Sequence, residues 1–152
     1  MIRLNRVLVP TDFSEHSKSA VRYGCELASK FGADLHLLHV VEQLPVMYSE
    51  GAIFTPETEA ELLAEATNLL DRTPEDIDVT SLKVTRATLQ GHPLVEITRY
   101  AKENEIDLIV IGTHGRTGLV HMLLGSVAEK VVRKAPCPVL TVHHPEHEFV
   151  KP

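Results

Sequence analysis

The chain has 152 residues, 43% hydrophobic and 24% charged, which suits one soluble globular domain with a core of its own. A formal net charge of -6 and a pI of about 5.8 give no electrostatic footprint for nucleic acid, and no Lys/Arg run marks an anionic membrane surface. No apolar run reaches the roughly 18 residues that would begin to span a bilayer, and Met1 to Arg6 lead straight into a strand without the apolar stretch of a signal peptide, so the cytoplasm is the expected compartment.

In chain order, the first apolar run is Arg6-Val7-Leu8-Val9-Pro10, a buried strand closed by proline. Residues 14–31 carry Ala20, Val21, Gly24, Leu27, Ala28 and Phe31 at helical spacing, and Gly32 supplies the stop. Cys25 lies in this helix and Cys137 opens the last strand. Two thiols so far apart and in no metal-like spacing read as free and packed. A second strand covers 35–41, with His36 and His39 expected to be packed or partly exposed. An aperiodic connection, 42–55, follows and has the length of a lid or a mobile loop.

Thr55-Pro56 opens a second helix, with Leu62, Leu63, Ala66, Leu69 and Leu70 on its apolar face and Glu57, Glu59, Glu61 and Glu65 on a solvated one. Alternation predicts a strand over 79–89. Gly91-His92-Pro93 then opens a helix carried by Leu94, Ile97, Tyr100 and Ala101. Residues 107–112 form a strand apolar on both faces, the mark of the middle of a parallel sheet covered on each side. A glycine-punctuated loop, a short helix from Ser126 to about Lys134 and a strand over 139–142 complete the domain, which spans 1–152 with a tail expected to fray from about 143.

Alternating strands and helices predict an α/β fold, one doubly wound, Rossmann-like domain with a parallel sheet. About five strands is too few for a barrel. Ligands of such sheets sit at the carboxyl ends of the strands, where the winding reverses. Two loops stand out there: Pro10-Thr11-Asp12 and the segment from Gly112 to Gly125. The latter reads Gly112-Thr113-His114-Gly115, nine intervening residues, Gly125-Ser126. Glycine at a strand end lets backbone amides approach an anion, and Ser126-Val127-Ala128-Glu129 has the form of a capping box that starts a helix. A turn at Gly112 to Arg116 and a helix mouth at Gly125 to Val127 would thus both face phosphate. Neither a dinucleotide-binding G-x-G-x-x-G nor a P-loop motif occurs.

The pattern G-x-x-G, nine residues, G-[ST] resembles that of ATP-binding members of the universal stress protein family. Val7-Leu8-Val9-Pro10-Thr11-Asp12, Gly91-His92-Pro93 and Cys137-Pro138-Val139-Leu140 extend the resemblance over essentially the whole chain. It implies a five-stranded sheet in the order 3-2-1-4-5 and an ATP site. In that site Pro10, Thr11 and Asp12 would line the adenine and ribose side, and Val40 would offer backbone contacts to adenine. Gly112, His114, Gly115 and Arg116 would wrap ribose and phosphates, and Gly125, Ser126 and Val127 would give amides and a hydroxyl to the phosphate tail. Magnesium would accompany the phosphates. Asp12 has a plainer reading as part of a helix cap.

Histidines number nine. His114 alone is placed near the expected phosphates. His121 lies in the loop, facing either solvent or a phosphate, and His143, His144 and His147 form a tail cluster that could chelate a metal, with adventitious affinity the plainer reading. No Walker lysine, acidic metal pair or partnered base names a hydrolytic apparatus, and the resemblance implies binding and signalling in a stress response with at most slow turnover. The rival readings are a slow ATPase using His114 or Asp12 to orient water, and a nucleotide-free dimer acting through protein contacts. The last strand would lie at an exposed sheet edge, and its pairing with a second copy predicts a homodimer through 139–142.

Overall fold

The computed structural model describes residues 1–43, 56–114 and 124–143. Within them strands and helices alternate: β1 Arg6–Pro10, α1 Glu15–Phe31, β2 Asp34–Glu42, α2 Pro56–Asp71, β3 Val84–Gly91, α3 Pro93–Glu103, β4 Leu108–Gly112, α4 Ser126–Lys134 and β5 Val139–Val142. The five strands form one sheet in the order β3-β2-β1-β4-β5, and every pairing is parallel. The expected fold class and strand order are both present.

Side chains alternate across each strand, so the sheet divides the core in two. Val7, Val9, Leu35, Leu37 and Val110 face α1 and α2, with Ala20, Val21, Ala28 and Leu70 packed on them. Leu8, Leu38, Ile109 and Ile111 face α3 and α4, against Leu94, Ile97, Ala128 and Val131. Gly24 lets α1 approach β1 closely, for a Cβ there would run into the Val9 side chain.

Ser14 caps α1 by accepting from the Ser17 amide, and Gly32, in the left-handed region at φ 64°, ends it. At the foot of the sheet Asp107 binds the amides of Asn5 and Arg6 at 2.7 and 3.1 Å, joining β4 to the start of β1. Arg86 of β3 reaches back to the end of α2, its guanidinium donating to the carbonyls of Leu70 and Thr73 at 3.1 and 2.9 Å.

One expected boundary and one expected cap differ. The third strand is Val84–Gly91 rather than 79–89. Asp78 accepts from both the amide and the hydroxyl of Thr80, at 2.9 and 2.7 Å, and the Leu82 amide returns to the Val79 carbonyl. Those bonds make a turn, so Val79 and Leu82 pack on the core from a loop. The fourth helix begins at Ser126, but its cap is Gly125, so the expected capping box at Ser126 is not formed. The proposed cap at Thr55 lies outside the described residues, as does most of the 42–55 connection.

Candidate functional site

β1 and β4 are neighbours in the sheet, yet the chain leaves them in different directions: β1 leads to α1 on one face, β4 to α4 on the other. Their carboxyl ends therefore open the crevice in which such folds hold ligands. The turn after β1 is strongly braced. Thr11 is buried, and its hydroxyl lies 3.0 Å from the Ser17 hydroxyl while accepting from the Phe13 amide at 3.1 Å. Asp12 Oδ1 accepts from the Ser14 amide at 3.0 Å and from the Ser14 hydroxyl. Ser14, not Asp12, is the helix cap, and Asp12 orients the residue that caps. Thr11 can line the crevice through its backbone only, since its side chain turns inward.

At the end of β4, Gly112 sits under the first turn of α1: a Cβ there would come within 2.8 Å of the His16 carbonyl oxygen. The glycine is thus demanded first by helix packing, a reason the sequence alone does not display. His114 follows, half-buried, with Nδ1 3.1 Å from the Thr113 hydroxyl. That hydroxyl also meets His143 Nδ1 at 3.2 Å. The His114 ring stands 5.5 Å from His16 and 5.9 Å from His143, so three imidazoles gather where β4 and β5 end.

Thr113 is also the knot between the two expected phosphate-facing elements. Its amide donates to the Val142 carbonyl of β5 at 3.0 Å, and its carbonyl accepts from the Gly125 amide. This corrects one expectation. Gly125 does not offer its amide to a phosphate, because that amide is taken by Thr113, while its carbonyl accepts from Glu129 at 3.0 Å. With the Gly125 amide taken and the first intrahelical bond coming from Glu129, the amides of Ser126, Val127 and Ala128 have no intrahelical acceptor among the described residues, and Ser126 is exposed. Val40, half-buried near the end of β2, borders the crevice on the β2 side. Gly115, Arg116 and His121 lie outside the described residues, as do His144 and His147.

Among the described residues no group of three His, Cys, Asp or Glu side chains is arranged to hold a metal. No described helix is long and apolar enough to cross a membrane. Both cysteines are free, and burial pushes the Cys25 thiol up to about 11 and raises that of Cys137.

The family model for the universal stress protein family matches residues 3–143. The chain belongs to the universal stress protein family. Universal stress protein MJ0531 of Methanocaldococcus jannaschii is 36% identical over 146 residues, covering 94% of this chain and 84% of that one. Universal stress protein YxiE of Bacillus subtilis is 34% identical, with 91% and 98% covered. Among solved structures, hypothetical protein MJ0577 superposes with a TM-score of 0.83 at 31% identity, over 96% of this chain and all (100%) of that one. A universal stress protein in complex with cAMP superposes at 0.63 and 26% identity, with 93% and 98% covered. A member of the fold therefore holds an adenine nucleotide.

His39 and Phe13 belong to the neighbourhood of the site without having been marked for it. His39 is buried, its Nδ1 2.7 Å from the Thr11 carbonyl oxygen, and its ring lies 4.5 Å from that of Phe13. The available signal was a histidine in the apolar stretch of β2, one residue beyond Leu38, the partner of Pro10 at the end of β1.

Proposed function

We propose that this universal stress protein binds an adenine nucleotide, ATP in particular, in the crevice between the ends of β1 and β4, and works as a nucleotide-dependent stress-response module of the cytoplasm. The observation that carries the reading is the pairing of two elements on one crevice. One is the Thr11-Asp12 turn, fixed by Ser14 and Ser17. The other is the mouth of α4, where the amides of Ser126 and Val127 face outward at the positive end of a helix dipole. Asp12 would accept from ribose hydroxyls, and the loop bearing Gly112, His114, Gly115 and Arg116 would wrap the phosphates. The cAMP complex of a relative supports an adenine nucleotide as the ligand class.

Magnesium would ride on the phosphates. The exposed Ser126 hydroxyl beside the open amides is a hard oxygen of the kind this ion accepts alongside phosphate and water. When bound, the ion would neutralise charge on the triphosphate, while Ser126 and Val127 would orient it. The edge position of β5, with Leu140 and Thr141 exposed, supports a homodimer formed by pairing this strand with its mate.

The test is to purify the protein without added nucleotide, denature it, and resolve the supernatant by anion exchange. Near-stoichiometric ATP is expected. Failure to bind added ATP with magnesium in a calorimetric titration would overturn the reading.

A further inference from the structure

The sheet loses one rung at the edge of the crevice, and a side chain accounts for it. In β2 the even-numbered residues direct their backbone groups toward β1: the Asp34 amide donates to Asn5, and the Leu38 carbonyl accepts from Thr11, both at 2.8 Å. The odd-numbered residues turn the other way, as the Leu35 amide donates to Lys83. Val40 therefore points both its N–H and its C=O to the β1 side. The last β1 residue in register is Pro10, opposite Leu38. One more rung of a parallel ladder would give the Thr11 carbonyl to the Val40 amide. That carbonyl is held instead by His39 Nδ1 at 2.7 Å. A carbonyl oxygen only accepts, so Nδ1 carries the proton.

Phe13 completes the device. Its ring packs on His39 at 4.5 Å and 31°, and its backbone sits at φ 65°, a conformation that a bulky residue adopts only when its surroundings impose it. Chain direction, imidazole and ring together turn β1 away from β2 one residue early.

We infer that His39 is a positioning residue for base recognition: by capturing the Thr11 carbonyl it leaves the donor and acceptor of Val40 side by side at the crevice, matched to the amidine edge of adenine and mismatched to guanine. The inference rests on the nucleotide-binding reading above. A buried donor–acceptor pair discriminates because the wrong base leaves both groups unpaired.

The experiment is calorimetric titration of wild type, His39→Leu and His39→Asn with ATP, GTP and tripolyphosphate, each with magnesium. Wild type should favour ATP over GTP. His39→Leu should lose about tenfold or more in ATP affinity and most of that preference, with tripolyphosphate affinity changed by less than about twofold. His39→Asn, which keeps a donor near the Nδ1 position, should regain most of the loss. A folded His39→Leu protein with the wild-type ATP-to-GTP ratio overturns the role of His39 and leaves nucleotide binding standing. Wild type that binds no nucleotide sinks both. Should His39→Leu not fold, nitrogen NMR of wild type decides: an Nδ1-protonated imidazole supports the inference, and an Nε2-protonated one overturns it.

Discussion

The Gly125 amide donates to the Thr113 carbonyl, so the mouth of α4 is stitched to the end of β4. This bond makes the two sides of the glycine loop a single rigid frame at their roots, and it selects which amides remain for a ligand. Ser126 is then the first residue of the helix, preceded by Gly125 in an extended conformation at φ -65° and ψ 158°.

Proline is well suited to that first helical position, and an extended residue before it is what proline requires. Ser126→Pro should therefore fold with a thermal midpoint within a few degrees of wild type. It removes one outward amide and one hydroxyl, and the ATP dissociation constant should rise about tenfold or more, read by titration. An unchanged affinity would place the phosphates elsewhere.

Gly112→Ala should cost stability through packing. Its Cβ would meet the backbone carbonyl of His16 at 2.8 Å, and backbone at the start of a helix cannot step aside as a side-chain tip can. Overpacking of this kind costs about 1–3 kcal/mol, visible as a lower denaturant midpoint without nucleotide present.

The raised Cys25 thiol gives a pH signature. Burial holds it protonated in the folded chain up to about 11, against an ordinary 9.0. The folded state thus binds more protons than the unfolded one between those values, and stability falls as pH rises through that window. Cys25→Ala should flatten the decline in a pH series of unfolding curves. Below pH 8 the native wild-type thiol should resist alkylation until the chain is unfolded.

The proposed dimer can be tested at one amide. The Ile109 and Thr113 amides donate to the carbonyls of Pro138 and Val142, so even-numbered residues of β5 serve β4 and odd-numbered ones face outward. Thr141→Pro removes an outward N–H and spares the β4 ladder. Light scattering should find wild type as a dimer and Thr141→Pro as a monomer. A dimer that survives the substitution would mean that another surface pairs the copies.

Much of the fold was legible because its strands announce themselves by continuous apolar runs, as in Leu108–Gly112 and Arg6–Pro10, and its helices by spacing. The third strand misled because Val79 and Leu82 satisfy alternation while Asp78 and Thr80 close a turn around them. The strand instead runs on to Gln90 and Gly91, whose pairing with Val41 and Glu42 is a backbone matter with no apolar signal. At α4, a serine followed three residues later by glutamate reads as a capping box, and the helix does begin at Ser126, but Gly125 holds the cap position without a side-chain bond. His36 and His39 differ little in sequence. Only the fold separates His36, which meets the Tyr100 hydroxyl at 2.9 Å on the α3 side with its pKa lowered by burial, from His39 at the crevice. The left-handed backbone at Phe13 has no signature in residue type at all.

Arg86 grips α2 at one end only. Its bonds reach the carbonyls of Leu70 and Thr73, and the buried residues of the helix, Ala66 and Leu70, lie in the same half. Protection against amide exchange should therefore grade along the helix, weakest in the turns after Pro56 and strongest toward Asp71. Parallel strands feed α2 from their carboxyl end and receive it at their amino end, so the loosely held turns are those on the crevice side. The helix is built as a cantilever, anchored at its Asp71 end and more exposed toward Pro56.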